Sequence, residues 1–185
     1  MGFAKWVAAA MGTGALLTSV SALAEPATAN SIQLGLGLRY GIEMNEGDFN
    51  PWGLGLGLNG GITLPNAVYV GGVGEYFFGD KEEAGGVKLT GNIWQLMAEG
   101  GYDVGLGPLF VLRPKVGLGL ANSRSELCLT GLGCTKDNSS DFALAPGATF
   151  LVFLPMIKLS ADVRYELVFA EETGKALIWT VGVGF

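Results

Sequence analysis

Three features of this chain predict an all-β fold: an eight-stranded antiparallel up-and-down meander that closes into a transmembrane β-barrel. The first is alternation at period two over most of the length, with bulky apolar residues in one file and glycine, polar or charged residues in the other. Successive side chains of a strand leave opposite faces, so this is the strand period. The second is composition: 49% of the 185 residues are apolar and 15% are charged, against roughly 25% charged in an average soluble domain. After residue 24 no apolar run is long enough for a spanning helix. The third is the rhythm of the connections, short Pro/Gly turns alternating with longer polar loops.

The length allows one domain. Residues 1–24 read as a cleaved export signal, with Lys5 as the only charge, an apolar stretch from Trp6 to Val20, and Ala22-Leu23-Ala24 before Glu25. That small-residue spacing is the one signal peptidase accepts. The barrel domain then covers residues 25–185, and losing Lys5 lowers the net charge of −6 by one.

The strands follow in order. Residues 31–43 place Leu34, Leu36, Leu38, Tyr40 and Ile42 in one file and Gln33, Gly35, Gly37, Arg39 and Gly41 in the other. After a polar acidic loop, residues 51–64 repeat the design, with Trp52, Leu54, Leu56, Leu58, Ile62 and Leu64 opposite a file rich in glycine. Pro65-Asn66 is a turn. The third strand, 67–78, carries Val68, Val70, Tyr76 and Phe78 against Glu75, and residues 79–86 form a charged loop. In the fourth, 87–102, Trp94, Leu96, Ala98 and Tyr102 oppose Gln95, Met97 and Glu99; its polar first half, with Lys88, Thr90 and Asn92, is expected to rise above the membrane. A Gly/Pro turn at 103–108 leads to the fifth, 109–122, with Arg113 and Lys115 in the polar file and Pro114 marking a bulge or ragged pairing. Residues 123–140 read as the longest loop. The sixth strand is 141–153, and the seventh, 157–169, sets Ile157, Leu159, Ala161, Val163, Tyr165, Leu167 and Phe169 against Lys158, Ser160, Asp162, Arg164 and Glu166. An acidic loop at 170–175 precedes the closing strand, in which Leu177, Trp179, Val181, Val183 and Phe185 form the apolar file.

The alternation does not say which file is inside. In a soluble barrel of lipocalin type the apolar file points inward; in a membrane barrel it points to lipid. The amount of apolar surface, the aromatics near strand ends (Tyr40, Trp52, Tyr76, Phe78, Tyr102, Phe110, Phe169, Phe185) and the terminal Phe select the membrane. Arg39, Glu75, Glu99, Arg113, Lys115, Lys158, Asp162, Arg164 and Glu166 then lie inside as a cross-barrel salt-bridge network, because buried charges must be paired. Glycine, 31 of 185 residues, suits the inside of a narrow wall. The Gly-x-Gly runs sit within strands with no helix after them, so they do not form a phosphate cradle, and no nucleic-acid partner is expected.

With these files and the ending at Trp179, Val181, Val183 and Phe185, the whole mature chain resembles the small OmpA/OmpX-type outer-membrane β-barrel family. The resemblance implies an outer-membrane location in a Gram-negative bacterium, lipid as surroundings, and recognition of that last strand by the barrel assembly machinery. It also implies a monomer with a side-chain-filled interior. The barrel enzymes of that membrane rely on a catalytic His.

The chain has no histidine, which removes Ser/His hydrolysis, His metal sites and His proton shuttles. Asp162 and Glu166, two positions of one file beside Arg164, read as structure rather than an acid/base pair. No catalytic residue, cofactor or metal is expected. Cys128 and Cys134, six positions apart, are expected to form a disulfide that closes a small loop. The leading role is non-enzymatic: membrane integrity or surface interaction. The alternatives are a narrow porin-like channel and a soluble lipocalin-like ligand-binding barrel.

Overall fold

The computed structural model describes residues 31–45, 50–79, 81–84, 87–129, 133–170 and 173–185. The expected leader at 1–24 and its cut before Glu25 lie outside these residues. Ten strands occur among the described residues: β1 (Ile32–Glu43), β2 (Gly53–Thr63), β3 (Val68–Phe77), β4 (Lys81–Ala84), β5 (Val87–Tyr102), β6 (Val104–Gly105), β7 (Phe110–Leu129), β8 (Gly133–Phe153), β9 (Lys158–Phe169) and β10 (Thr173–Gly184).

Eight of them make a closed antiparallel ring in the order β5-β3-β2-β1-β10-β9-β8-β7, with β5 pairing β7. Closure leaves no unpaired wall edge, which is what a sheet needs in hydrocarbon. First and last strands meet in register, Leu38 opposite Val181 and Tyr40 opposite Trp179. The short connections, 64–67, 103–109 and 154–157, lie at the end where β1 begins and β10 finishes. In the first, Ala67 N–H donates to Leu64 O at 2.9 Å with Ala67 in the left-handed region, at φ 64°. Short turns face the periplasm in outer-membrane barrels, so this end is the lower one.

The outward face is apolar. Leu34, Leu36, Leu38, Leu54, Leu56, Leu58, Leu96, Leu118, Leu120 and Val181 are all exposed. An apolar band encircling the molecule far exceeds what a soluble monomer shows, and the charged file is the buried one. The soluble lipocalin-like reading is therefore overturned. Exposed aromatics pair across strands within the band: Tyr40 with Trp179, Tyr76 with Trp94 and Phe142 with Phe169. Phe110 and Phe150 stack at the lower rim, centroids 5.9 Å apart.

Four expectations need correction. Residues 123–140 are not a loop. β7 and β8 continue as one ladder from Phe110 opposite Val152 to Leu129 opposite Gly133. Within 79–86, β4 pairs β5 from Lys81 opposite Thr90 to Ala84 opposite Val87, and β10 already starts at Thr173. Together β4, the start of β5, the end of β7 and the start of β8 form a four-stranded sheet above the ring. Its apolar residues are few, Val87 and Leu89 opposite Leu129 and Leu127, so the alternation that marks the wall strands is faint here. Finally, Trp52 is not outside with Leu54; it is 2% exposed. Gly53 at φ 52° reverses the alternation there. Asn50 fixes the turn, its Oδ1 accepting from Glu43 N–H and Trp52 N–H, both at 3.2 Å. Pro114 stands where pairing with β5 stops at Lys115, before β6 takes over at Leu112.

Candidate functional site

The barrel interior is layered. At the lower mouth, Arg113 holds Asp103, with its Nη2 2.9 Å from Oδ2. The same nitrogen reaches Gln33 Oε1 at 3.1 Å, and Thr63 donates to Asp103 Oδ2 at 2.9 Å. The Arg113 guanidinium lies over the Tyr69 ring, 3.7 Å from its centroid, a cation–π contact. Lys158 Nζ donates to Gln33 Oε1 at 3.0 Å.

One layer higher, Lys115 Nζ bridges Glu99 at 2.7 Å and Asp162 at 3.0 Å, and Thr149 donates to Asp162 Oδ2 at 2.7 Å. Above that, Glu75 is held by Arg39, Gln95 and Arg164, with Arg164 Nη1 2.8 Å from Glu75 Oε1. Arg164 Nε also meets Glu166 Oε2 at 3.2 Å, and Gln95 reaches that oxygen at 3.3 Å. Gly57 makes room for this layer: a Cβ on it would run into the Arg39 guanidinium.

An apolar layer closes the upper end. Trp52, Phe77, Ile93, Val168 and Ile178 are buried there with Ala121, Ala143 and Ala176. Trp52 and Phe77 meet edge-to-face at 5.1 Å, and Trp52 Nε1 donates to Glu43 Oε2 at 2.9 Å. Between the layers lies a cavity of about 40 Å³ lined by Arg39, Lys115, Asp162 and Thr180. That is room for roughly two to four waters.

Eight of the nine charged residues expected inside form ion pairs in these layers, and the ninth, Lys158, is buried there with Gln33 Oε1 as its acceptor and no carboxylate within 4.0 Å among the described residues. Sequence reasoning missed Asp103, buried at 2%. It hides in a stretch that reads as a turn; its signal is Arg113, a buried cation otherwise short of a partner. Asp103 brings the interior to five cations and five anions among the described residues. The apolar layer was missed too, because Trp52, Phe77 and Ile178 are hidden among outward apolar neighbours. At the closing strand, Trp179, Val181, Val183 and Phe185 face outward. Cys128 and Cys134 stand opposite each other near the tip of the β7–β8 hairpin, with sulfur atoms at disulfide distance, 2.03 Å. Glu126 lies beside them, but two mutually bonded sulfurs leave no thiolate for a metal.

A closed eight-stranded barrel, greasy outside and ion-paired inside, is an integral outer-membrane protein. The chain belongs to the outer membrane protein beta-barrel domain family, whose model matches residues 13–185. No curated protein matches it. Among solved structures it is similar to a major outer membrane protein from Thermus thermophilus, with TM-score 0.60 and 11% identity over 84% of this chain and 99% of that one. It is also similar to Ail, the attachment invasion locus protein of Yersinia pestis, with TM-score 0.56 and 18% identity over 84% and 95%. Neisserial surface protein A gives TM-score 0.52 and 14% identity over 83% and 94%. Ail is also known in complex with the heparin analogue sucrose octasulfate. At these identities the likeness concerns the fold. The protein resides in the outer membrane of a Gram-negative bacterium.

Proposed function

We propose that the protein is a non-enzymatic, non-conducting, monomeric anchor that holds the β4-β5-β7-β8 sheet clear of the outer membrane for contact with other molecules. The observation that supports this is the packed interior: among the described residues three charged layers and the Trp52–Phe77 layer lie across the lumen. In this reading residues 1–24 direct export, and the assembly machinery takes up the strand ending in Trp179, Val181, Val183 and Phe185. The bridge between Cys128 and Cys134 closes the hairpin tip.

The raised sheet supports the contact role. Pairing of β8 with β9 begins at Phe142 opposite Phe169, so residues 133–141 have no β9 partner among the described residues. An open edge suits strand addition by an extended segment of another protein, and Lys136, Asp137 and Asp141 keep it from aggregating. A polyanion of the kind seen on Ail is not the favoured partner here. The stretches 46–49, 80, 85–86, 130–132 and 171–172, outside the described residues, bring Glu46, Asp48, Asp80, Glu171 and Glu172 and no cation.

The test has two arms. In a planar bilayer the purified protein should give no unit conductance step; a reproducible step would replace the anchor with the channel. Replacing residues 125–137 by a two-residue Asn-Gly turn should leave a heat-modifiable barrel that no longer supports attachment of cells to surfaces or proteins. Attachment unchanged by that replacement would remove the contact role.

A further inference from the structure

Lys158 stands apart from the other interior cations. Arg39 and Arg164 share Glu75, Lys115 has Glu99 and Asp162, and Arg113 has Asp103. Lys158 is 6% exposed, yet among the described residues no carboxylate lies within 4.0 Å of it. Its ammonium shares one neutral acceptor, Gln33 Oε1, with the Arg113 guanidinium. Two cations converging on a single amide oxygen repel each other, and a buried ammonium without a counter-ion is costly. Among the side chains at the lower mouth two cations, Arg113 and Lys158, stand against one carboxylate, Asp103, and an incoming anion would pair directly with Lys158.

The surroundings define what kind of anion fits. Lys158 and Gln33 form the polar side of a cavity of about 270 Å³ whose other side is Leu154, Met156, Ile157 and Phe185. Ile157 and Phe185 also line a groove of about 680 Å³ on the outer wall, with Leu36, Leu58, Val183 and Gly60. The groove is almost wholly apolar and faces lipid. Ligand sites of this size are mostly apolar with a few placed polar groups. Here the polar group is a cation at the mouth and the apolar part is a channel along the wall, so the occupant is amphipathic with an anionic head.

We propose that the periplasmic mouth binds one phospholipid of the leaflet it faces, the phosphate against Lys158 and one acyl chain in the groove beside Phe185. The phosphate oxygens accept from Lys158 Nζ, a charge-assisted bond stronger than that to Gln33. The chain covers Leu36, Leu58 and Val183 at the rim of the band, where the wall is indented at Gly60.

Native mass spectrometry of the full protein in detergent tests this, with phosphatidylglycerol, diacylglycerol of the same chains, and inorganic phosphate as probes. The parent should retain one phosphatidylglycerol and little diacylglycerol, and inorganic phosphate should not displace the lipid. Lys158→Gln should lower retention about tenfold or more, the loss expected for one hydrogen bond to a charged group. Gly60→Leu, which fills the groove from outside and leaves the interior charges alone, should lower it as well. Heat-modifiability on a gel confirms that each variant is folded. Equal retention of diacylglycerol, displacement by inorganic phosphate, or undiminished binding by Gly60→Leu would each overturn the proposal.

Discussion

Arg164 on β9 reaches Glu75 on β3, 89 residues away in the chain and diametrically across the ring of eight strands, with a nitrogen on each carboxylate oxygen. A two-pronged contact of this kind ties opposite walls together and occupies the lumen. Removing one partner strands the other in a dry interior. Arg164→Met and Glu75→Gln should each destabilise the barrel by about 3–5 kcal/mol. The double variant should lose less than the sum, because the Arg164–Glu75 contact is lost once and not twice, although Arg39 and Glu166 each still lose a partner. Urea unfolding in lipid vesicles measures all three, and additive losses would mean the two residues do not act as a pair.

The apolar upper layer should matter as much as the charges below it. Trp52→Ala removes a ring packed on Phe77 and held by Glu43, and should cost about 3–5 kcal/mol. The same measurement reads it. Had Trp52 faced lipid, as its place beside Leu54 suggests, the loss would be small.

How far the sequence spoke depends on what each strand faces. β1, β9 and β10 have lipid on one side and a polar lumen on the other, and their alternation shows strand limits to within a few residues. The raised part of β7 and β8 has water on both sides, so Ser123–Arg124–Ser125–Glu126 and Thr135–Lys136–Asp137–Asn138 show no apolar file. Their pairing was nonetheless written in the near symmetry about the tip, with Glu126 opposite Lys136 and Cys128 opposite Cys134. Trp52 was misplaced because Gly53 adopts a left-handed φ, which reverses the parity of every residue before it. Asp103 was missed because Asp followed by Gly and Pro is also how an ordinary turn is written.

The cysteine pair belongs to the raised hairpin and not to the wall. Replacing Cys128 and Cys134 together by Ser should leave assembly and heat-modifiability intact, since the ring is held by its own ladder. Protease treatment of whole cells should instead cut residues 124–139 faster than in the parent. Failure of the double variant to assemble would make the hairpin tip part of the folding core.

Val163 tests most directly which face meets lipid. It follows Asp162 and precedes Arg164, both buried in the lumen, so its own side chain must point the other way, and it sits opposite Ala148 and Trp179 in the band. Urea unfolding of Val163→Arg in lipid vesicles should show a loss of about 2–4 kcal/mol, the cost of a cation near the bilayer mid-plane. Asn138→Arg, on the raised hairpin above the band, should unfold like the parent. A Val163→Arg barrel as stable as the parent would contradict the assignment of the apolar file to the membrane.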